Sequence, residues 1–255
     1  MNNIQRFHDL HTGSDLLFLG NAWDLLSALA LEKAGFPAIG TTSWGIANSL
    51  GRQDSEQIRF ADNLAVVKQI VEHVKIPVTA DLEAGYSEDP QEIVANVLQA
   101  AEAGVAGINL EDSWKQEPGL REITAHSALL HNIRTALDQN GYFGFYLNAR
   151  IDTYLQKPDP LAETILRAQA YAAAGASGVF VPGLQDEDDI RAVAAAVDVP
   201  LNLLSLPELT DCQRLQELGV KRLSFGNAFS DKVILYMEAC SSALFESRNT
   251  ALLYR

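Results

Sequence analysis

The sequence predicts an α/β fold, a (β/α)8 TIM-type barrel, and three observations lead to it. First, helical stretches repeatedly end in a small residue or Leu followed by Gly, and a short apolar run comes next. This happens at Lys33-Ala34-Gly35-Phe36-Pro37-Ala38-Ile39, Glu102-Ala103-Gly104-Val105-Ala106-Gly107-Ile108, Ala173-Ala174-Gly175-Ala176-Ser177-Gly178-Val179 and Glu217-Leu218-Gly219-Val220-Lys221-Arg222-Leu223. Gly accepts the left-handed conformation that closes a helix, and the chain then turns directly into a buried strand. Second, Val74-Lys75-Ile76-Pro77-Val78 and Val197-Asp198-Val199-Pro200-Leu201 place Pro at a strand's first position, where its missing N–H is tolerated. Third, 255 residues accommodate about eight such β-then-α units, the number that closes a barrel.

These signals order the elements. A strand near 16–20 leads to a helix near 24–34, which closes at Gly35 and delivers a strand at 38–42. A helix over 56–73 reaches the strand at 77–81 through Pro77, and a helix over 90–103 closes at Gly104 before the strand at 107–111. Helices at 125–139 and 160–174 precede strands at 145–150 and 178–182. Helices at 187–196 and 209–218 precede strands at 201–205 and 222–226. The remainder, 228–255, keeps helical apolar spacing at Val233, Ile234, Met237, Ala243, Leu244 and Leu252. That extension is longer than one barrel helix needs and is expected to pack on a partner subunit, the plain alternative being a last helix on the same barrel. The whole chain, 1–255, reads as a single domain. A doubly wound sheet would want a Gly-rich dinucleotide fingerprint, which Leu19-Gly20-Asn21-Ala22 does not supply.

Composition narrows the function. Lys+Arg 19 against Asp+Glu 33 gives a formal net charge of −14, a surface that repels phosphate backbones and anionic lipid. Nucleic acid and membrane are therefore not expected as partners, and a small anionic substrate needs local positive charge from Arg or a metal ion. Cys212 and Cys240 are too few for a disulfide framework. The N-terminus has no apolar run of signal length, and no stretch approaches the roughly 20 apolar residues of a membrane span. A cytoplasmic location is expected.

Barrel enzymes carry their chemistry at the C-terminal ends of the strands. Here those ends read Thr79-Ala80-Asp81-Leu82-Glu83-Ala84-Gly85-Tyr86, Asn109-Leu110-Glu111-Asp112 and Asn148-Ala149-Arg150-Ile151-Asp152. Strand alternation puts Asp81 and Glu83 on one side, with Glu111 and Arg150 on neighbouring strands roughly 4.8 Å apart. Carboxylates that converge repel unless a cation intervenes, and oxygen donors with no Cys or His beside them suit Mg²⁺ or Mn²⁺. Arg150 is placed to hold a substrate carboxylate. Ordinary salt-bridged loop acids are the alternative. A Schiff-base mechanism finds only Lys115 within reach of the mouth, and His8, His11, His73, His126 and His131 lie away from it.

The chain resembles the isocitrate lyase/phosphoenolpyruvate mutase superfamily over most of its length. The resemblance rests on Gly40-Thr41-Thr42-Ser43-Trp44 with Ser49-Leu50-Gly51-Arg52-Gln53-Asp54, on Asp81-Leu82-Glu83-Ala84-Gly85-Tyr86 for Asp-x-Asp-x-Gly-Tyr, and on Gly107-Ile108-Asn109-Leu110-Glu111-Asp112. It continues in Ala149-Arg150-Ile151-Asp152, Val199-Pro200-Leu201-Asn202 and Ser224-Phe225-Gly226. It implies a barrel whose last helix is swapped within a homodimer or homotetramer. It also implies Mg²⁺ or Mn²⁺ held by Asp81 directly and by Glu83 and Glu111 through water. By the same resemblance, Thr42, Ser43 and Trp44 cradle the substrate, Asp54 lies near the metal, and Arg150 and Asn202 contact the substrate. Two departures stand out: Glu83 replaces the motif's second Asp, and the loop 112–121 lacks the Lys-Lys-Cys-Gly-His of the isocitrate-type lyases and the Lys-Thr-Asn of the mutases. Lys115 is the one residue left there for proton transfer or phosphoryl contact, an exposed loop lysine being the alternative.

The expected activity is lyase or decarboxylase cleavage of a small 2-oxo or 2-hydroxy (di)carboxylic acid through an enolate-like intermediate. Phosphoenolpyruvate or phosphonopyruvate mutase or hydrolase chemistry is one alternative, and a non-catalytic barrel that binds 2-oxo acids is the other.

Overall fold

The computed structural model describes residues 2–115 and 118–254. Its eight strands, β1 (Leu17–Ala22), β2 (Ile39–Thr41), β3 (Val78–Asp81), β4 (Gly107–Glu111), β5 (Tyr146–Arg150), β6 (Gly178–Val181), β7 (Leu201–Leu204) and β8 (Arg222–Ser224), are parallel. They close in sequence order, β8 pairing back onto β1. The glycines expected to end helices, Gly35, Gly104, Gly175 and Gly219, all have positive φ, at 97°, 94°, 103° and 94°.

Between the strands run α2 (Leu25–Ala34), α4 (Phe60–His73), α5 (Pro90–Glu102), α6 (Ile123–Gln139), α8 (Leu161–Ala173), α9 (Glu187–Ala195) and α10 (Cys212–Glu217). Alternation along the strands divides the interior in two. Ala80, Ile108, Leu110, Leu147 and Ala149 face outward into the main core, against Val67, Val97, Leu130 and Ile133 of the helices. Each buried Leu or Ile there contributes about 1.5–3 kcal/mol. The other face turns Thr79, Asp81, Asn109, Asn148 and Arg150 toward the barrel axis.

Three helices were not expected. α1 (Asn3–Thr12) lies under the barrel, its Phe7 ring edge-on to Tyr146 at 5.4 Å and its His11 ring stacked on Tyr146 at 3.8 Å. Its apolar face is small, which is why the polar N-terminal segment gave no helical signal. Burial, reinforced by Arg222, lowers the His11 pKa to about 3 and keeps the ring neutral. α3 (Ser43–Ser49) and α7 (Thr153–Gln156) are short helices in the loops that follow β2 and β5. The helix expected from residue 56 starts instead at Phe60, because Ser55 and Glu56 have positive φ and form a turn at the barrel mouth.

The chain ends in α11 (Ala228–Ser247) and a 3-10 turn (Thr250–Tyr254). Ser230 is the only buried residue of α11, while Leu235, Tyr236, Met237 and Phe245 stand exposed. No described helix is long and apolar enough to cross a membrane.

Candidate active site

The C-terminal end of the barrel holds a cavity of about 200 Å³ lined by Thr41, Thr42, Ser43, Trp44, Asp54, Asp81, Asn109 and Arg150, among others. Thr42 is the N-cap of α3, so the first-turn amides of Ser43 and Trp44 have no acceptor within the helix. The Ser43 hydroxyl donates to Asp81 Oδ2 at 3.0 Å, and the Asp81 amide donates to Thr41 Oγ1 at 3.0 Å. Trp44 donates its indole N–H to Asp231 at 2.8 Å, tying the start of α11 to this rim.

Beside this cavity lies a second lobe of about 240 Å³, lined by Asp54, Glu83, Glu111, Ser113, Lys115, Arg150 and Asp152. The Lys115 ammonium sits between Glu83 at 2.9 Å and Glu111 at 2.6 Å. Glu111 also meets Arg150 Nη1 at 2.9 Å. Arg150 is fixed in turn by a two-point contact to Asp152, Nε at 2.6 Å and Nη2 at 3.1 Å. Asp152 is held by the Ser113 hydroxyl at 2.5 Å and by its own amide donating to Asp112 at 3.0 Å.

Burial sets the electrostatics. Desolvation pushes the Glu83 carboxyl up to about 7 against the pull of Lys115. It moves Glu111 upward too, despite Arg150 and Lys115. Burial acts to lower the Lys115 pKa, but Glu111 and Glu83 outweigh it and hold the ammonium above the ordinary lysine value. The same contest keeps Arg150 above its ordinary value through Glu111 and Asp152.

Sequence reasoning put Asp81, Glu83 and Glu111 at one point, and the structure separates them. Asp81 faces the cavity with Arg150, whereas Glu83 and Glu111 meet at Lys115. No three His, Cys, Asp or Glu side chains among the described residues are grouped to hold a metal on their own. The reason is local: β3 ends at Asp81, and Glu83 has φ 48°, so strand alternation no longer governs where its carboxylate goes. Lys115, weighed as an exposed loop lysine, is instead mostly buried in its ion pairs, with 15% of its side chain exposed. Asn202 does not line the cavity. It sits at 1% exposure, Cα-paired with Phe180 and Arg222, with neither side-chain polar atom hydrogen-bonded. Asp112 faces away from the mouth, where Arg167 donates to it at 3.1 Å and Tyr171 at 2.8 Å. Two further residues shape the site without having been singled out. Glu56 accepts from the Ala84 and Tyr86 amides at 3.0 and 2.8 Å and shapes the turn that carries Glu83. Asp152 orients Arg150, a role its place two residues on in the Ala-Arg-x-Asp motif was the one signal for.

The residues present suit a hard divalent cation. Asp54 Oδ1 is buried with no hydrogen-bond partner, an unmet acceptor in a cavity shared with Asp81. A cation or its water ligands would satisfy it.

The profile of the phosphoenolpyruvate phosphomutase family matches residues 7–245. The chain belongs to this family. An uncharacterised protein of Mycobacterium tuberculosis (strain H37Rv) is 38% identical over 222 residues, covering 87% of this chain and 81% of that protein. The oxaloacetate decarboxylase of Pseudomonas syringae pv. tomato is 27% identical over 229 residues, covering 87% and 78%. The crystal structure of a Burkholderia cenocepacia protein, named as a candidate phosphonomutase, superposes with a TM-score of 0.90 at 36% identity, covering 94% of this chain and 99% of that one. A mutase thus names the family, and a decarboxylase is among the proteins this chain is similar to.

A pH effect follows from the buried acids. The Glu83 carboxyl, raised to about 7, is largely protonated at pH 6 and ionised at pH 8, Glu111 is displaced in the same direction, and a cation favours the ionised form. Mn²⁺ affinity, followed by electron paramagnetic resonance, is expected to rise roughly tenfold between pH 6 and 8 and then level off. A flat profile across that range would show that Glu83 and Glu111 do not feel the ion.

Proposed function

We propose that the protein is a Mg²⁺- or Mn²⁺-dependent lyase or decarboxylase. It would cleave a C–C bond next to the carboxylate of a small 2-oxo or 2-hydroxy (di)acid. The observation that carries the reading is that Asp81, the orphaned Asp54 carboxylate, the Ser43 and Trp44 segment and Arg150 all face one cavity. Asp81 would hold the cation directly, with Asp54, Glu83 and Glu111 acting through water. Bound there, the cation would supply positive charge to an enolate oxygen as the bond breaks. The rest falls to the chain itself. Arg150, oriented by Asp152, presents its remaining N–H groups to the substrate carboxylate. The Ser43 and Trp44 amides offer preorganised donors to developing negative charge. Lys115, already protonated between two carboxylates, is placed to move a proton at the mouth.

The test is release of pyruvate or CO₂ from oxaloacetate and malate derivatives, and conversion of phosphonopyruvate to phosphoenolpyruvate or to pyruvate and phosphate, in the presence of Mg²⁺. Turnover of a C–C substrate supports the reading. Turnover of phosphonopyruvate alone moves the protein to the mutase or hydrolase alternative. No turnover with tight Mg²⁺-dependent oxalate binding makes it a non-catalytic barrel.

The proposal extends to assembly as a homodimer or homotetramer through α11. Its apolar residues Leu235, Tyr236, Met237 and Phe245 stand uncovered among the described residues, and β1 adds the exposed Phe18, tilted against Phe36 at 5.5 Å and edge-on to Phe225 at 5.8 Å.

A further inference from the structure

Asn109 occupies the free position of the Gly-(apolar)-x-(apolar)-Glu-Asp motif, and it forms part of the cavity wall beside Asp81 and Arg150. It is Cα-paired with Asp81 on one side and Asn148 on the other. Its Oδ1 accepts from Asn148 Nδ2 at 2.9 Å and from Arg222 Nη2 at 3.4 Å. A guanidinium can only donate, so the atom facing Arg222 is the carbonyl oxygen, and chemistry fixes which way the amide points. Nδ2 is therefore turned away from Arg222, and it makes no hydrogen bond among the described residues.

Arg222 is itself unusual. It is 1% exposed, its Nε and Nη1 have no partner, and the contact to Asn109 is the one hydrogen bond its side chain makes among the described residues. Burial lowers its pKa to about 10, which leaves it charged at neutral pH. A buried cation without a carboxylate is costly to hold. Its field acts on the Asn109 carbonyl, and a polarised amide is a stronger donor at its other end.

We propose that Asn109 Nδ2, backed by Arg222, donates to a carboxylate or enolate oxygen of the bound acid and so acts as a specificity-determining contact for an oxyanion. This rests on the reading of the cavity as a 2-oxo acid site. Through Asn109, the positive charge of Arg222 reaches the cavity and adds to that of Arg150 while its guanidinium stays outside.

Oxalate, a planar dianion that mimics the enolate of pyruvate, is the probe. Titrated calorimetrically into the full chain with saturating Mg²⁺, it is expected to bind Asn109→Ala about 10- to 100-fold more weakly than the wild type. Mn²⁺ affinity measured without oxalate should stay within about threefold, because the loss is of an anion contact and not of a metal ligand. Asn109→Asp provides a second reading that a purely structural role would not produce. It replaces the donor by a carboxylate that pairs with Arg222, so thermal stability should hold or rise while oxalate binding is lost. Oxalate affinity within threefold of wild type in Asn109→Ala, or retained in Asn109→Asp, overturns the proposal. If the wild type binds oxalate and Asp81→Ala does not, either result removes only the role of Asn109. A wild type that binds no oxalate overturns the cavity reading and this inference together.

Discussion

Asp81→Ala is expected to abolish Mg²⁺-dependent oxalate binding while leaving the barrel folded. Among the acids of the site, Asp81 is the strand-end carboxylate that lines the cavity together with Arg150 and the α3 segment. Glu83 and Glu111 are held back by Lys115 at 2.9 and 2.6 Å, so neither can take its place without breaking an ion pair. Removing groups that merely orient a metal ligand already costs about 10- to 100-fold in affinity, and removing the ligand itself should exceed that range. The structural cost is small. The Asp81 side chain accepts one hydrogen bond, from Ser43 at 3.0 Å, worth about 1 kcal/mol. For a chain of this size that corresponds to a shift of roughly 2–4 °C in Tm. Isothermal titration at saturating Mg²⁺, with a thermal melt alongside, checks both halves. Oxalate affinity equal to the wild type would sink the assignment of Asp81 to the cation.

The difference between Asp81 and Glu83 shows where the sequence is readable. Helix ends and strand starts are local events, decided by whether Gly35, Gly104, Gly175 and Gly219 can adopt positive φ, so the barrel could be drawn from chain chemistry alone. Residues within regular strands were equally legible. Period two put Asp81, Asn109, Glu111 and Arg150 on the axial face, and the register sets Glu111 opposite Arg150. Beyond the last strand residue the rule lapses. Glu83 reaches its partners through left-handed turns at Glu83, Gly85 and Tyr86, which Glu56 buttresses from 27 positions away. Nothing in the local sequence encodes that. Depth was also invisible: alternation places Asn202 on the axial side but does not say that it lies below the cavity and not in it. The α1 helix was missed because its value lies in what Phe7 and His11 touch across the barrel floor, a tertiary property.

Asp112→Ala is expected to be the most damaging single change to stability at the mouth, although the residue touches neither cavity. The same alternation that turns Glu111 inward sends Asp112 outward, to 0% exposure under α8. There it accepts from Arg167 at 3.1 Å, Tyr171 at 2.8 Å and the Asp152 amide at 3.0 Å. Its own amide donates to the Arg150 carbonyl at 3.1 Å. Truncation would leave the guanidinium of Arg167, itself 5% exposed, without its buried carboxylate, held by Glu163, the Arg121 carbonyl and the Tyr171 hydroxyl, and would take the acceptor from the buried Tyr171 hydroxyl and the buried Asp152 amide as well. Breaking a buried pair from one side costs about 3–5 kcal/mol, or roughly 10 °C in Tm for a domain of this size. The double variant Asp112→Leu with Arg167→Met removes both charges together. It should be less unstable than the sum of the singles by at least about 1 kcal/mol, because no lone charge remains buried. Differential scanning calorimetry of Asp112→Ala, and of the cycle Asp112→Leu, Arg167→Met and their double, decides the matter. A Tm for Asp112→Ala within 3 °C of wild type, or strict additivity in the cycle, would mean that Arg167 and Asp112 are not coupled as their geometry requires. Oxalate affinity in the folded fraction gives a second readout. Asp112 positions Asp152, and Asp152 positions Arg150, so binding should weaken in Asp112→Ala even though every cavity-lining residue is intact.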